Sequence, residues 1–68
     1  MSDILKVVEV LAESNKSWED AAEKAVASAS KTIKHIKSIY IKDFYAQVDD
    51  KKITSYRITA KISFLLDR

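Results

Sequence analysis

The chain has 68 residues, a net charge of +2 at pH 7, and no cysteine, glycine or proline. Domains of this size bury only about 60% of their unfolded surface, so they commonly depend on disulfides, metals or oligomerisation. The lack of cysteine excludes a disulfide framework and a thiolate zinc site, and a single histidine excludes a histidine-rich metal cluster. We therefore expect a single domain, residues 1–68, that is stabilised by association with copies of itself.

Acidic and basic residues are interspersed along the chain, with 12 Lys and Arg against 10 Asp and Glu. This balance gives no strong attraction to nucleic acid or to an anionic membrane, and we expect neither as a partner. No run of 18 apolar residues and no secretory signal pattern is present, which predicts a soluble, cytoplasmic protein. Because nucleophile elbows, zinc-protease spacings and glycine-rich phosphate loops are also missing, we predict that the protein is not an enzyme.

A run rich in β-branched residues predicts a first strand over residues 4–11, and a helix is predicted over residues 18–35. Ser17 is a suitable N-cap, with Asp20 three residues later to complete a reciprocal cap. Apolar side chains then recur every three or four residues, mostly as alanine: Trp18, Ala21, Ala22, Ala25, Val26, Ala29, Ile33 and Ile36. His35 and the lysines around it are interpreted as cations at the negative end of this helix.

Two further strands are predicted over residues 39–48 and 53–66, joined by a polar hairpin turn whose type the sequence leaves open. The last strand has a clear period of two, with Tyr56, Ile58, Ala60, Ile62, Phe64 and Leu66 on one face and Ser55, Arg57, Thr59, Lys61 and Ser63 on the other. In the strand before it, simple alternation sets Ile39, Ile41 and Tyr45 against Tyr40, Phe44 and Val48. The resulting sheet has the order 1-3-2, and one helix can cover only one of its faces.

In this order and spacing, the segments resemble the dodecin family over nearly the whole chain. The resemblance is carried by Lys6-Val7-Val8-Glu9-Val10, Glu13-Ser14, Ser17-Trp18-Glu19-Asp20-Ala21-Ala22, Ala25, Ala29-Ser30-Lys31-Thr32, Tyr56-Arg57-Ile58 and Ser63-Phe64. It implies an α+β chain of order β-α-β-β, whose three-stranded antiparallel-type sheet half-wraps one helix. It further implies a homododecamer in the form of a hollow shell, with a flavin such as FMN or riboflavin as the usual ligand.

The resemblance also implies a flavin site, and this chain departs from it at three positions. Flavin-binding dodecins have a stacking Trp where Ser38 stands, a hydrogen-bonding Gln where Arg57 stands and, in many members, an Arg where Leu65 stands. Ser38 offers no stacking surface, but Arg57 can lie over a planar ring or hold a phosphate or carboxylate. Tyr40 shares a strand face with Ser38 and can serve as an aromatic wall. We therefore predict Ser38, Tyr40 and Arg57 as the residues nearest a planar or anionic ligand.

The chain resembles more closely a subgroup of dodecins that lacks the stacking Trp, through the segment Lys52-Ile53-Thr54-Ser55-Tyr56-Arg57-Ile58. Calcium binding has been proposed for that subgroup, which implies as an alternative a structural or calcium-buffering dodecamer without an organic ligand. Asp49 and Asp50 are the only adjacent acidic pair outside the helix start and are the predicted metal ligands. Calcium takes about six to eight oxygens, so such a site would need symmetry-related copies. As solvated turn residues, the same pair needs no metal.

Overall fold

The computed structural model describes residues 4–66, which form three strands and one helix. The elements are β1 (Leu5–Ser14), α1 (Trp18–Ala29), β2 (Ile36–Asp49) and β3 (Lys52–Leu65). The sheet order is β1-β3-β2, and β3 pairs antiparallel with both neighbours. The predicted β-α-β-β fold and its strand order are confirmed. Within the described residues, no helix is both long and apolar enough to cross a membrane.

The helix begins where its sequence predicts. Ser17 has an extended backbone, and its Oγ accepts a hydrogen bond from the amide of Asp20 at 2.9 Å. The carboxylate of Asp20 accepts a hydrogen bond from the hydroxyl of Ser14 at 2.5 Å and lies 3.2 Å from the ammonium of Lys24. These two contacts, the one with Ser14 first, lower the pKa of Asp20. The helix start is thereby tied to the end of β1.

The helix ends at Ala29, six residues before the predicted end at position 35. The amides of Thr32 and Ile33 both donate to the carbonyl of Ala29, at 3.1 and 2.8 Å, which closes the helix with a turn. Both residues are β-branched and disfavour further helix, and His35 has a left-handed φ of 61°. The last turn of α1, which lies wholly within the described residues, has no basic side chain. The prediction that His35 and its neighbours offset the helix dipole is therefore wrong.

The two faces of β3 differ as its period of two predicts. On the face toward α1, which we call the inner face, Ile58, Ala60 and Ile62 are fully buried. Ala21 of the helix packs directly against Ile58 and Ala60. The opposite, outer face of the sheet has no helix against it among the described elements. Only Ala25 joins these four as a buried apolar side chain in residues 4–66, so the core of one chain is very small.

β2 is interrupted by shifts of its register against β3, which fall between Ile36 and Ser38, between Ile41 and Asp43, and between Gln47 and Val48. The extra residue at Lys42 is a β-bulge, and it reverses the alternation after it. Phe44 consequently pairs with Ile58 on the inner face, while Tyr45 pairs with Arg57 on the outer face. The faces predicted for Phe44 and Tyr45 from simple alternation are therefore wrong.

The hairpin between β2 and β3 extends beyond the rest of the sheet. β1 ends at Ser14, opposite Tyr56, so residues 47–55 form a two-stranded projection that we call the arm. Asp50 and Lys51 at its tip have φ of 49° and 67°, as a type I′ turn requires. The chain measures 54 × 20 × 13 Å, with a radius of gyration of 14.0 Å. A compact chain of this length has about 11 Å, so the protomer is markedly elongated.

Candidate functional site

The outer face of the sheet carries all three residues that were predicted to lie near a ligand. The register pairs Ser38 with Ser63, Tyr40 with Lys61, and Tyr45 with Arg57. Residues that face each other across a ladder share one side of the sheet, so Ser38, Tyr40 and Arg57 lie on the same face. The sequence could indicate this for Ser38 and Tyr40, which are two residues apart on one strand.

A single chain does not bring these three residues into one pocket. Ser63 and Arg57 are six positions apart on β3, which at the rise of a strand is about 20 Å. Tyr40, opposite Lys61, is about 13 Å from the position of Arg57 by the same measure. Ser38 and Tyr40 thus lie toward one end of the outer face and Arg57 toward the other.

Ser38 and Tyr40 differ in what they can offer a ligand. The hydroxyl of Ser38 is hydrogen-bonded to the hydroxyl of Ser63 at 2.5 Å, so it already has a partner within its own chain. Tyr40 is 64% exposed, although it lies within a regular part of the ladder. Its ring lies across the ladder from Lys61, whose side chain is also exposed. An open aromatic surface beside a cation suits a planar anionic molecule.

Arg57 is engaged by a carboxylate that the sequence analysis did not identify. Its Nε donates to Oε1 of Glu13 at 2.6 Å, across the β1–β3 ladder. Glu13 is the first cause of a raised pKa of Arg57, and Tyr45 contributes in the same direction. These side chains lie around a shallow depression of about 340 Å³ that also contacts Leu11 and Ala12. Glu13 falls in β1 beyond its predicted end at position 11, but it continues the alternation that puts Glu9 and Leu11 on the outer face.

The two predicted metal ligands lie at the far end of the arm. Asp49 is the last residue of β2, opposite Lys52, and Asp50 begins the turn. Within residues 4–66, no group of three or more His, Asp or Glu side chains is placed to hold a metal ion. One chain thus supplies two adjacent carboxylates, which is fewer oxygens than calcium usually takes.

A second feature lies on the inner face, where an aromatic cluster surrounds the helix start. The indole Nε1 of Trp18 donates to the carbonyl oxygen of Tyr45 at 2.9 Å. Its ring meets Phe44 and Tyr56 edge to face, with centroids 5.4 and 5.0 Å away. Beside this cluster runs a groove between α1 and β2, which we call the α1–β2 groove. Its first part, about 330 Å³, is lined by Trp18, Glu19, Ala22, Ile41, Phe44 and Ile58, and the next part, about 350 Å³, by Ala22, Glu23, Val26, Ala27 and Ile39.

The chain leaves an unusual amount of apolar surface open. Its accessible surface is 5330 Å², whereas a compact monomer of its mass has about 4,300 Å². Large apolar side chains that are more than half exposed include Ile4, Leu5, Val7, Leu11, Tyr40, Phe44, Val48 and Ile53. Together with the small core, these features define an open β-α-β-β protein with one helix on one face of a three-stranded sheet. The family model described as Dodecin matches residues 4–67, and the chain belongs to the dodecin family.

Solved structures of dodecins have the same fold. An arginine-to-alanine mutant of the dodecin from Thermus thermophilus is 24% identical, with 98% of this chain and 100% of that chain covered and a TM-score of 0.93. Dodecin from Streptomyces davaonensis is 20% identical, with both chains fully covered and a TM-score of 0.93. The calcium dodecin of Mycobacterium tuberculosis, described as a calcium-chelating immunodominant antigen with a novel calcium-binding site, is 32% identical. The comparison with calcium dodecin covers 94% of this chain and 91% of the calcium dodecin chain, with a TM-score of 0.81. No curated protein matches the chain.

Proposed function

We propose that the protein is a homododecameric shell that sequesters a small planar, anionic molecule, of which a flavin such as FMN is the leading example, between its subunits. The observation that carries the ligand part is the exposed ring of Tyr40 beside Lys61 on the outer face. Membership of the dodecin family supports both the assembly and the class of ligand.

The need for an assembly follows from the surface of one chain. About 1,000 Å² more is exposed than a compact monomer of this mass would show. Burying apolar surface contributes about 25 cal/mol per Å², and the side chains concerned are large and apolar. A chain with only five buried apolar residues among those described gains most by covering this surface with copies of itself.

The contacts on the outer face determine which residue would bind which part of the ligand. Tyr40 would stack on the planar part, and Lys61 would face its negative charge. Arg57 is held by Glu13 at 2.6 Å, so it is a weaker candidate for binding a phosphate than its type alone suggests. Ser38 lacks an aromatic surface, so we expect weaker flavin binding than a Trp at that position would give.

Native mass spectrometry of the purified protein, before and after adding FMN and riboflavin, tests this function. We expect a mass of twelve subunits and several bound flavins per assembly. Tyr40→Leu should lose the adducts, whereas the matched variant Tyr40→Phe should keep them because it retains the ring. A monomer or dimer would contradict the assembly. Equal flavin binding by Tyr40→Leu and the parent protein would contradict the assigned site.

A structural or calcium-buffering dodecamer is the second candidate, favoured by the 32% identity to the calcium dodecin. Asp49 and Asp50 are its proposed ligands, brought together with symmetry-related copies because one arm supplies only two carboxylates. Calcium should then raise the melting temperature of the assembly, since a ligand that binds only the folded state stabilises it. The variant Asp49→Asn/Asp50→Asn should remove that increase. Calcium-dependent stabilisation without any flavin adduct would favour this function over the first.

A further inference from the structure

The arm and the α1–β2 groove are two open apolar features of the described residues. Across the arm, Val48 and Ile53 pair in the ladder, and they are 66% and 51% exposed. A two-stranded ribbon alone is marginally stable in water, and here neither β1 nor α1 extends over it. The arm therefore carries apolar side chains where its own chain gives them no cover.

The groove is a matching open surface. Phe44 on its wall is 67% exposed, although it lies on the inner face and touches Trp18. The lining of both parts of the groove is aliphatic or aromatic except for Glu19 and Glu23. Eight residues of the helix and sheet thus form an apolar channel that runs along the helix.

The arm cannot occupy the groove of its own chain. β2 forms one wall of the groove through Ile39, Ile41 and Phe44, and the arm is the continuation of β2 and β3 beyond that wall. Any occupant must therefore come from outside the chain, and the exposed surface of the protomer is large enough to favour a second copy. The excess of about 1,000 Å² over a compact monomer is comparable to the roughly 800 Å² per partner that a stable interface buries.

We propose that the arm of one copy docks in the α1–β2 groove of a second copy, with Val48 and Ile53 packed against Phe44 and Ala22. The charges are compatible with this contact. The arm tip carries Asp49 and Asp50 together with Lys51 and Lys52, so its net charge is zero and it is not repelled by the acidic side chains of the groove. Arm and groove are different surfaces, so the contact is head-to-tail, the kind of contact that builds a ring when the rotation between copies closes. This inference rests on the proposed self-assembly and identifies one of its contacts.

Disulfide cross-linking tests the contact, because the chain has no cysteine of its own. Val48→Cys and Ala22→Cys are made as separate variants, mixed in denaturant, refolded together and oxidised. A disulfide needs Cα atoms within about 7 Å, so only cysteines that meet across the interface react efficiently. Ala29→Cys is the matched control: it is also a half-buried alanine of α1, but it lines the groove on the β1 side of the helix.

We expect Val48→Cys with Ala22→Cys to give a species of twice the chain mass as the main product, and Val48→Cys with Ala29→Cys to give little of it. Equal products from the two mixtures, or a Val48→Cys homodimer as the main product of both, would overturn the proposal. Native mass spectrometry of each refolded mixture distinguishes a wrong arm contact from a failure of the chain to assemble. An intact oligomer without the expected cross-link contradicts only the arm contact, whereas monomers contradict the assembly itself.

Discussion

The guanidinium of Arg57 and the carboxylate of Glu13 join β3 to β1 on the outer face, with 2.6 Å between Nε and Oε1. The side chain of Arg57 is 36% exposed and that of Glu13 is 54% exposed, so the ion pair remains accessible to solvent. A ligand anion that approaches this part of the face must compete with a carboxylate that is already bound. The pair therefore governs how far Arg57 can contribute to recognition.

Removing the competing charge should release Arg57. We expect Glu13→Gln to bind FMN more tightly relative to riboflavin, by roughly two- to fivefold, because the phosphate is the difference between the two ligands. Quenching of flavin fluorescence measures both affinities. Glu23→Gln makes the same change in net charge on the helix and should leave the ratio unchanged. An unchanged ratio in Glu13→Gln would show that Arg57 does not face the ligand phosphate.

A second prediction concerns the missing aromatic surface at Ser38. Ser38→Trp places an indole on the outer face next to Tyr40, and ring stacking is worth about 0.5–1.5 kcal/mol beyond burial. Riboflavin affinity should rise by up to about tenfold. Ser38→Leu is the control, since it also removes the hydrogen bond to Ser63 and adds apolar bulk without a ring. A rise of the same size in both variants would mean that bulk rather than stacking is responsible.

A third prediction concerns the stability of the hairpin turn between β2 and β3. Lys51 has a φ of 67°, a region that costs a residue with a Cβ about 1 kcal/mol and costs glycine almost nothing. Lys51→Gly should therefore stabilise the protein by up to about 1 kcal/mol, measured by urea denaturation at fixed protein concentration. Lys52→Gly, one residue later and in the extended part of β3, should be destabilising by about 0.5–1 kcal/mol. Destabilisation by both substitutions would contradict the type I′ turn.

Stability at low pH should depend on Asp20, whose pKa is lowered from 3.8 chiefly by the hydroxyl of Ser14. A carboxyl with a lowered folded-state pKa contributes stability that is present above its unfolded-state pKa and is lost as the pH falls through the folded-state value. The advantage of the parent protein over Asp20→Asn should thus be complete above about pH 4 and shrink below it.

The control removes the hydroxyl of Ser14, which is the first cause of the lowered pKa of Asp20. In Ser14→Ala, the pKa of Asp20 should lie nearer its usual value, so the acid-induced loss of stability should be smaller and should be complete at a higher pH than in the parent protein. Chemical denaturation at a series of pH values, followed by the fluorescence of Trp18, measures both variants. Curves for Asp20→Asn and the parent protein that run parallel throughout the acidic range would show that Asp20 has no shifted pKa.

The fold could be predicted from the sequence because the local signals for strands and helix agreed with one another. The period of two in β3 identified the central strand, and Ser17 with Asp20 marked the start of the helix. The end of the helix was not accessible in the same way. Ile33 and Ile36 continue the spacing of the apolar stripe, although the helix has already ended at Ala29 and the backbone is left-handed at His35.

The candidate site was accessible only in part, because it depends on register across strands. The common face of Ser38 and Tyr40 follows from spacing within one strand. The pairing of Arg57 with Glu13 depends on how β1 aligns with β3 and on β1 extending to Ser14. The position of Tyr45 depends on a bulge that has no glycine or other compositional signal to mark it.

The bulge at Lys42 reverses the alternation of side chains between the two faces of β2. Before it, odd-numbered residues such as Ile39 and Ile41 face the helix; after it, even-numbered residues such as Phe44 do so. Deleting Lys42 would restore one uniform phase and exchange the sides of Phe44 and Tyr45, which would take the Phe44 ring away from Trp18 and place it on the outer face. Each half of β2 therefore contributes side chains to both faces, and the bulge is what sets Phe44 beside Trp18 while Tyr45 lies opposite Arg57.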